Sequence, residues 1–531
     1  MKAMLRPTRC HGWALNKSSR REGYVIFAVL IVIVVLSLAG YRYTEAMASE
    51  YQVAIRTTEA AEARSYAVSG IHYAAGMLSD PNTLYGTLNG NPYDNPTYFS
   101  SVVVGDTNAS RGGGRFSLLN LADAGGAGES RYPLRYGVSD ESAKLNINAL
   151  ILLDPTGEVL SKGLLLLPNM TEEIADAIVD WVDTDDTQRP TGAESGVYQG
   201  LQQPYLCKNG PLNSVEELLL VRGVTPQLLF GTDRNRNGVL DPSEDSEADF
   251  SRGWSEYLTC YGRELNIDSG GLPRINLNMA DLATLSNELT PLIGQELSDY
   301  IVYQRASNKA RTAAPLTSTQ IEAPPAAIRG IVQKLVDAQA QGTRRLSSVL
   351  TIFNTQMALQ PLPSPPSPPG RPPSTPITPV LVCPLNDPDT LDQVFPLLLD
   401  HCTTSANYEL TPRVNVNTAP AEVLACLPGL TSDDVTAIVN ARSGLTPSDP
   451  ETLSGAWLVT AANLSPTKFR GIERYISGKS STFRVHSVGY FGQGGPVSRV
   501  EAVIDTAQGL PRILYFRELS ELGRGFSNLP R

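Results

Sequence analysis

The feature that most constrains this chain is an apolar run near its N-terminus, "YVIFAVLIVIVVLSLAGY", residues 24–41. These 18 uncharged positions are enough to span a bilayer with little tilt. The run continues into an Ala- and Glu-rich segment that has no proline before Pro81 and, beyond residue 41, no glycine before Gly70. The sequence therefore predicts one helix from Tyr24 to about Ser79, which is roughly 85 Å long at the usual rise per residue.

Charge is distributed unevenly along the chain. The net charge is −11, to which the leader, residues 1–23, contributes +5 and the rest of the chain −16. Basic residues ahead of an apolar span mark the cytoplasmic side of a membrane, so we expect the acidic bulk to lie on the other side. So acidic a surface is a poor partner for nucleic acid, whose binding requires neutralisation of phosphates.

The start of the apolar run allows three interpretations. An ordinary signal peptide would have a shorter apolar region and a small-residue cleavage site; "EAMAS", residues 45–49, offers one, although Arg42 and Glu45 interrupt it. A plain membrane anchor is the second interpretation. In the third, Gly23 marks a cleavage site on the cytoplasmic side, so that Tyr24 begins the mature chain and the whole apolar run remains on it.

Two β-rich regions flank a long, mostly helical one. Residues 112–120 and 132–150 alternate polar and apolar positions, as strands do. The C-terminal part reads as a hairpin with the turn "GQGG", residues 492–495, followed by one more strand. We therefore predict an α+β protein: a long N-terminal helix and a small antiparallel β-sheet, interrupted by a large, mostly α-helical insertion.

The pattern of segments divides the chain into seven predicted parts. Pro- and Ser-rich sequence cannot form the interior of a helix or sheet, so the tract beginning at residue 360 is predicted to be a linker. The parts are a leader (1–23), the long helix (24–80), a first β region (81–150), a helical insertion (151–359), the linker (360–382), a second helical part (383–470) and a C-terminal β region (471–531).

Three segments of the helical insertion share an internal pattern. Each has an alternating, Asn-bearing start, "LNINAL" (145–150), "INLNMA" (275–280) and "VNVNTA" (414–419), before two amphipathic helical stretches joined by a short hairpin. These segments resemble helix-hairpin-helix units. Such units often bind DNA through a Gly-x-Gly hairpin tip at a free helix N-terminus. The tips here lack that pattern and carry acidic residues, which favours a structural role.

The order of these features resembles the type IV pilin and pseudopilin family, and specifically the K-type minor pseudopilin of type II secretion systems. The resemblance rests on the leader, the span, "DWVDTDDTQRPTGAE" (180–194), "PYLCKNGPLNSVEELLLVRGVTPQLL" (204–229) and the third repeat. Most family members carry a glutamate at the fifth mature position, which pairs with the next subunit's amino terminus. This chain has Ala28 there, and the K-type member, placed at the filament tip, is the one that lacks the glutamate.

The resemblance implies a function and a set of partners. It implies a minor pseudopilin of the inner membrane, single-pass through residues 24–41, with its head in the periplasm. It would help to initiate and cap the filament that exports proteins across the outer membrane. The implied partners are other minor pseudopilins in a tip complex, the major pseudopilin, the prepilin peptidase and the inner-membrane assembly platform, with no nucleic acid. A minor pilin of a type IV pilus and a membrane-anchored helix-hairpin-helix DNA receptor remain alternatives.

One loop has the ligand order of an EF-hand. In "DRNRNGVLDPSE", residues 233–244, oxygen ligands fall at positions 1, 3, 5, 9 and 12 with a glycine at position 6 and a carbonyl at position 7. The alternative is an Asx-rich surface turn. The predicted ligands of a structural calcium ion are Asp233, Asn235, Asn237, Val239 (carbonyl), Asp241 and Glu244.

A second acidic group follows a predicted helix. It comprises Asp180, Asp183, Asp185 and Glu194, with Asp186 beside them and Arg189 placed to brace the loop. It reads equally well as a second calcium site and as a solvated helix end with capping carboxylates.

Six cysteines and four histidines complete the candidate chemistry. An oxidising compartment favours disulfides, and the nearest pairings in sequence are Cys207 with Cys260 and Cys383 with Cys402, although spacing cannot establish connectivity. The histidines lie in unrelated contexts, and no metalloprotease, nucleotide-binding or nucleophile-elbow pattern occurs. The sequence therefore does not predict an enzyme.

Overall fold

The fold is taken from a computed structural model. It describes residues 22–105, 110–121, 134–236, 244, 252–307, 310–361, 377–507, 509–523 and 525. The contacts between Cα atoms divide the chain into a first unit, residues 1–62, and a second unit, residues 63–531.

Helices account for most of the described secondary structure, and short 3-10 turns connect them. Helix α1 is continuous from Glu22 to Ser79, as the sequence predicts, because neither Pro nor a helix-breaking run interrupts it. The other helices are α2 (Pro96–Phe99), α3 (Ile147–Leu153), α4 (Glu158–Leu164), α5 (Glu172–Val182), α6 (Ser195–Gln199), α7 (Pro226–Phe230), α8 (Leu282–Ile293), α9 (Gln295–Ala306), α10 (Arg329–Asp337), α11 (Pro388–His401), α12 (Ala421–Ala425), α13 (Ser432–Ala441), α14 (Pro450–Ser454), α15 (Trp457–Thr460) and α16 (Pro466–Ile472).

The strands are concentrated at the two ends of the second unit, with short ones between. They are β1 (Val102–Val103), β2 (Gly114–Leu121), β3 (Leu134–Tyr136), β4 (Ser139–Asp140), β5 (Leu145–Asn146), β6 (Leu258–Thr259), β7 (Glu264–Leu265), β8 (Ile275–Asn276), β9 (Ala310–Thr312), β10 (Gln320–Glu322), β11 (Thr355–Ala358), β12 (Thr378–Val382), β13 (Cys402–Thr403), β14 (Glu409–Leu410), β15 (Val414–Asn415), β16 (Ile476–Ser477), β17 (Thr482–Phe491), β18 (Ser498–Asp505) and β19 (Arg512–Glu518).

The main sheet joins strands from both ends of the second unit. Its order is β1-β2-β17-β18-β19, with β3 also paired to β2 and β4 to β17, and all of these pairings are antiparallel. The hairpin β17–β18 pairs Thr482 with Asp505 and Gly489 with Ser498. The sequence predicted this hairpin and the following strand. The central position of β17 means that the C-terminal hairpin completes a sheet whose first strands precede the helical units in the chain.

The C-terminal half of α1 packs on one face of this sheet. Alternate residues of β17 and β18, such as Phe483 and Val500, form a core with Ala67 and Ile71 of α1. The approach is closest at Gly489, where an added Cβ would lie 2.1 Å from the carbonyl oxygen of Ala63. A glycine is therefore required on β17 for the helix to lie this close to the sheet.

The three predicted repeats form three helical units, each closed by a parallel pairing of two-residue strands. In the first unit (145–260) β5 pairs with β6, in the second (275–404) β8 pairs with β13, and in the third (414–478) β15 pairs with β16. Each unit has a helix-turn-helix after its first strand, formed by α4 and α5, α8 and α9, or α12 and α13. The pairing ties the beginning of each unit to its end.

In every unit an asparagine side chain near the beginning bonds backbone carbonyl groups later in the same unit. Asn278 Nδ2 donates to the carbonyl oxygens of Leu346 (2.9 Å) and Thr404 (3.0 Å), and its Oδ1 accepts from the Leu346 amide (2.8 Å). Asn148 occupies the same position of its Asn-x-Asn start and makes the same set of bonds with the Leu212 carbonyl and amide and the Cys260 carbonyl. Asn417 likewise donates to two carbonyl oxygens, of Thr452 and Gly478, but its Oδ1 accepts from the indole Nε1 of Trp457. We call these three residues the clasp asparagines.

Two parts of the middle region differ from the prediction. Residues 310–382 contain a four-stranded sheet of order β10-β12-β11-β9, where a mostly helical insertion was expected. The predicted linker, 360–382, is therefore wrong at its C-terminal end, because Thr378–Val382 is the central strand β12. Local composition suggested a linker, but the pairing partners of β12 supply the hydrogen bonds that make it a strand. Residues 362–376 of that tract lie outside the described residues.

Candidate metal centres and the N-terminal helix

Helix α1 is long and apolar enough to cross a membrane. Its most apolar 18-residue window has a mean hydropathy of 2.7 and none of that window is buried. Gly23 and Tyr24, the predicted processing site, both lie within this helix near its start, and Tyr24 is exposed. The structure therefore supplies a single N-terminal helix suited to anchoring in a membrane, while cleavage after Gly23 stays a prediction.

The second acidic group gathers around the end of α5. Asp180 lies in the last turn of that helix, Asp183 is its C-terminal cap, and Glu194 caps the start of α6. The charges of Asp185, Asp180 and Glu194 all act on Asp183. The fold therefore brings the four predicted residues close enough to repel one another.

The pKa values of this group are those of buried carboxyl groups that are short of positive charge. Burial, followed by the charges of its neighbours, raises the pKa of Asp183 to about 7, and burial raises the pKa of Asp180 to about 6. Burial also raises the pKa of Glu194. Asp183 Oδ1 and Glu194 Oε1 are buried and have no hydrogen-bond partner among the described residues. Buried carboxylate oxygens without partners are costly, and a bound cation would satisfy both.

The Arg189 side chain pairs with carboxylates outside the acidic group. Its Nε donates to Asp176 Oδ1 (2.8 Å), its Nη2 donates to Glu158 (3.0 Å), and its backbone amide donates to Asp180 (3.2 Å). Its side chain thus braces the loop against α4 and α5 and leaves the acidic group short of positive charge. Among the residues that the structure describes, no three His, Cys, Asp or Glu side chains already surround one metal position. Side-chain rotation would accompany binding.

The EF-hand-like loop is described only at its ends. Asp233 and Glu244 are both buried, and the Asn235 amide donates to Glu244 Oε1 (3.0 Å), so positions 3 and 12 of the loop meet. The three remaining predicted ligands, Asn237, Val239 and Asp241, lie outside the described residues. The described ends are compatible with a closed loop.

This loop rests against the main sheet, a contact that sequence reasoning missed. Arg499 of β18 donates from Nη1 to the carbonyl oxygen of Asn235 (3.0 Å) and from Nη2 to that of Arg236. Arg236 in turn forms ion pairs with Glu501 of β18 (3.0 Å) and with Glu216 (3.6 Å). No local pattern relates Arg499 to a loop that lies so far from it along the chain.

A buried ion network continues from this contact into the sheet. Arg484 of β17 contacts Glu141 (2.7 Å) and Glu501, and Lys144 lies 3.5 Å from Glu141. These guanidinium and ammonium groups hold the pKa of Glu141 at about 2 despite its burial. The network joins the sheet to the first helical unit, because Thr259 of that unit also donates to Glu141.

The structure does not contain the predicted disulfides. Cys207, Cys260, Cys383, Cys402 and Cys426 are all free thiols, so neither Cys207–Cys260 nor Cys383–Cys402 is formed. The partners have different surroundings: Cys207 Sγ contacts the carbonyl oxygen of Asp180, whereas Cys260 lies near Glu141 and Arg484. Proximity in sequence therefore did not bring the thiols together.

The hairpin tips are capped by their own side chains. Thr171 accepts from the Ile174 amide at the start of α5. Thr431 and Asp434 form a capping box at the start of α13, and Lys468 Nζ lies 2.6 Å from Asp434. The amides that would hold a phosphate are thus occupied at these two helices, which disfavours the DNA-receptor alternative.

Together, the fold and the sites define an α+β protein with one N-terminal helix that could anchor it in a membrane, and with a small sheet that carries a helical insertion made of repeated units. Family models described as type II secretion system protein K match two segments, residues 143–230 and 414–449. Two segments of the chain are therefore similar to protein K of the type II secretion system, in agreement with the resemblance seen in the sequence. The two segments fall in the first and third helical units; the second unit has the same strand pairing and the same clasp but lies outside both matches.

Individual relatives agree over parts of their length. A type II secretion system protein K from Klebsiella pneumoniae is 26% identical over 223 residues, which cover 39% of this chain and 60% of that protein. One from Aeromonas hydrophila is 44% identical over 57 residues, which cover 10% of this chain and 17% of that protein. The chain thus spans three-fifths or less of these relatives. A chain of the crystal structure of the GspK-GspI-GspJ complex from enterotoxigenic Escherichia coli aligns over 89% of this chain and 98% of that chain, at 11% identity and a TM-score of 0.33.

Proposed function

We propose that this protein is a minor pseudopilin at the tip of the type II secretion pseudopilus, where it helps to start the filament and caps it. The observation that carries the proposal is the combination of two protein K segments with one N-terminal apolar helix. The role is structural rather than enzymatic. The partners that fit it are other minor pseudopilins, the major pseudopilin, the prepilin peptidase and the inner-membrane assembly platform.

The position at the tip follows from the absence of charge in the span. Residues 24–41 contain no carboxylate, and Ala28 stands at the fifth position after the proposed cleavage. A carboxylate in an apolar filament core needs a partner, and a tip subunit has no subunit above it to provide one. The basic leader places the N-terminus in the cytoplasm, so the helix spans the inner membrane and the head lies in the periplasm.

Processing is tested on the native N-terminus. The full-length precursor is co-expressed with the prepilin peptidase, and the mature protein is analysed by intact-mass and N-terminal peptide mass spectrometry. The proposal expects a mature chain that begins at Tyr24, and a Gly23→Val variant that retains the leader, with Gly40→Val as the matched control that is still cleaved. A mature chain that begins at Ser49, or one that keeps the whole leader, contradicts the proposal.

The tip position is tested by Ala28→Glu with Ala28→Ser as its control. The proposal expects the glutamate to reduce secretion in a complemented deletion strain and to reduce cross-linking of full-length protein to the other minor pseudopilins. Wild-type secretion and cross-linking by Ala28→Glu would show that a subunit above this chain can pair the carboxylate.

We further propose that the head binds two structural calcium ions. Asp180, Asp183, Asp185 and Glu194 would hold one, and the loop from Asp233 to Glu244 the other. The buried partnerless oxygens of Asp183 and Glu194 support the first ion, and the meeting of loop positions 3 and 12 supports the second. Calcium would supply positive charge that holds each loop closed.

Calorimetric titration of calcium into the detergent-solubilised full chain tests this. Two ions are expected for the wild type and one for each of Asp183→Asn and Glu244→Gln, while Asp433→Asn, an exposed residue outside both groups, should still bind two. If both variants bind as the wild type does, calcium is not held by these residues.

A further inference from the structure

A basic cavity lies where the second and third helical units meet. Its volume is about 420 Å³, and a second cavity of about 450 Å³ shares Arg274 and Arg413 with it. The smaller one, which we call the junction cavity, is lined on one side by residues 347–349 and 403–405 of the second unit and its C-terminal edge. Residues 469–478 of the third unit line the other side. A ligand bound there would therefore touch both units.

The junction cavity has an excess of positive charge. Its charged lining residues are the cations Arg274, Arg413, Arg470 and Arg474 and the single carboxylate Glu473. The chain as a whole carries a net charge of −11, so this concentration of arginine opposes the overall balance. A cleft lined by one sign of charge focuses the field and raises the local concentration of the opposite ion.

One of these arginines lacks a carboxylate of its own. Arg274 Nε donates to the backbone carbonyl oxygen of Asp400 (2.8 Å), and among the described residues its two Nη atoms have no hydrogen-bond partner. The Asp400 carboxylate is already held by Lys479 Nζ (2.8 Å) and by Ser269. The other nearby carboxylate, Glu264, accepts from Arg413 Nε (2.9 Å) and Nη2. Each carboxylate within reach is thus engaged by a different cation.

Two guanidinium groups also lie close to each other. Burial and the charge of Arg413 lower the pKa of Arg274. The Arg274 guanidinium, whose Nη atoms bond no described residue, presents a fork that matches the two oxygens of a carboxylate or phosphate group. Arg413 is committed to Glu264 and to the Glu473 carbonyl oxygen and adds only positive charge nearby. Hydroxyl groups of Ser347, Thr403 and Ser405 line the same cavity and can add donors.

We propose that the junction cavity binds a small oxyanion, a phosphate- or carboxylate-bearing molecule held by the Nη atoms of Arg274. Arg470 and Arg474, both exposed, stand at the opening and draw the anion in. The bound anion neutralises the cation that the protein leaves uncompensated and bridges the second and third helical units. The site is separate from the carboxylate groups proposed for calcium, and its existence does not depend on the proposed function.

The test measures binding to the detergent-solubilised full chain in two ways. Isothermal titration calorimetry uses sodium phosphate and, in a parallel arm, sodium citrate, each at constant ionic strength maintained with chloride. Thermal unfolding is followed over the same concentrations. The proposal expects saturable heat and a saturable rise in Tm of several degrees with at least one of the two anions, because a ligand that binds only the folded state stabilises it. The anion with the lower Kd shows whether the site prefers a phosphate group or a carboxylate group.

Variants locate the site. Arg274→Gln is expected to abolish saturable binding, and Arg474→Gln to weaken it several-fold. Arg329→Gln, which removes an exposed arginine of α10 outside the cavity, should bind as the wild type does. If Arg274→Gln does not fold, the comparison of Arg474→Gln with Arg329→Gln decides. Equal affinities for those two variants, no saturable binding to the wild type, or wild-type binding by Arg274→Gln would each overturn the proposal.

Discussion

At the scale of single residues, the clasp asparagines explain how three stretches of unlike sequence adopt one arrangement. An asparagine side chain has both donors and an acceptor, so one residue can bond the amide and the carbonyl of a distant backbone segment. Asn278 does this with Leu346 and adds the carbonyl of Thr404. Aspartate lacks the donors, and a hydrophobic residue lacks both. The second asparagine of each Asn-x-Asn start therefore encodes closure of its unit, and in the first unit the first asparagine, Asn146, also caps α3.

Replacing a clasp asparagine should destabilise the protein strongly. For Asn278→Ala we expect a loss of about 2–4 kcal/mol in the free energy of unfolding, because buried backbone groups lose their partners. Denaturant unfolding of the full chain in detergent measures it. Asn287→Ala, on the exposed face of α8, is the control and should change stability little. Equal behaviour of the two variants would refute the clasp.

The acidic group at the end of α5 should make stability depend on pH. Folding raises the pKa of Asp183 from 3.8 to about 7 and the pKa of Asp180 from 3.8 to about 6. The folded, calcium-free protein therefore holds protons that the unfolded chain releases, so this group lowers the free energy of unfolding as pH rises from about 4 to about 7.

Unfolding in a chelator at pH 5 and pH 8 measures this contribution. Asp183→Asn should show a smaller loss of stability between the two values than the wild type, and Asp433→Asn the same loss as the wild type. Calcium should bind more tightly at pH 8, because it requires the ionised carboxylates. An unchanged pH dependence in Asp183→Asn would contradict the assigned shift.

At the scale of elements, two close contacts position the functional parts on the main sheet. One is the approach of α1 to β17 at Gly489, which sets how the second half of the N-terminal helix lies on the sheet. The other is the contact of β18 with the EF-hand-like loop through Arg499. In both contacts the strand meets main-chain atoms of the neighbouring segment. The contact at Gly489 therefore depends on the small volume of that residue, and the contact at Arg499 depends on the charge of its side chain.

A side chain at Gly489 should separate α1 from the sheet. For Gly489→Val we expect a destabilisation of at least about 1–3 kcal/mol, the usual cost of overpacking, since its Cβ would meet the backbone of Ala63 and Ala67. Thermal unfolding of the full chain measures it. Gly330→Ala, where an added Cβ meets nothing within 4 Å, is the control and should unfold at the wild-type temperature or above.

Removing the guanidinium group of Arg499 on β18 should weaken calcium binding at the EF-hand-like loop. Because Arg499 holds the carbonyls of Asn235 and Arg236, we expect Arg499→Met to reduce calcium affinity at that loop by about 10-fold or more, as changes behind metal ligands do. Titration calorimetry in the Asp183→Asn background isolates the loop. Arg512→Met, an exposed change on β19, should leave the affinity unchanged. Unaltered affinity in Arg499→Met would show that the contact does not orient the loop.

At the scale of the whole molecule, a buried ion network unites the sheet with the helical units. Arg484 lies between Glu141 and Glu501, and Arg236 extends the chain of charges to the EF-hand-like loop. Buried charges of this kind stabilise only when all partners are present. We therefore expect the sheet, the first helical unit and the loop to unfold together, because they depend on the same few residues.

Breaking this network should unfold more than the sheet. Arg484→Met leaves Glu141 and Glu501 without their principal partner, so we expect a loss of about 3–5 kcal/mol. Hydrogen exchange followed by mass spectrometry should show increased exchange in both β17 and the first helical unit. Arg329→Met, which removes an exposed guanidinium outside the network, 3.7 Å from Asp299, is the control. Exchange confined to β17 would show that the network does not couple the two.

Much of the fold could be predicted because its signals are local. The length of α1 follows from an uninterrupted run of helix-forming residues, and the C-terminal hairpin follows from alternating strands around residues 492–495. The EF-hand-like order and the acidic group were visible as spacings; the structure brings the Asn235 amide to Glu244 and places Asp183 within the field of Asp180, Asp185 and Glu194, while calcium binding by either group stays a prediction. The strand Thr378–Val382 and the state of the cysteines were missed, because they depend on partners that sequence spacing does not reveal.

The sequence by itself determined the long apolar N-terminal helix, the α+β class and the three Asn-bearing starts, since each depends on interactions between residues a few positions apart. Only the tertiary structure decided that each start closes on a strand far along the chain, that Arg499 supports a loop from another part of the protein, and that the Nη atoms of Arg274 bond no carboxylate among the described residues. Those outcomes depend on which groups, distant in the sequence, lie beside a given charge or hydrogen-bonding group. That is fixed only when the whole chain is packed.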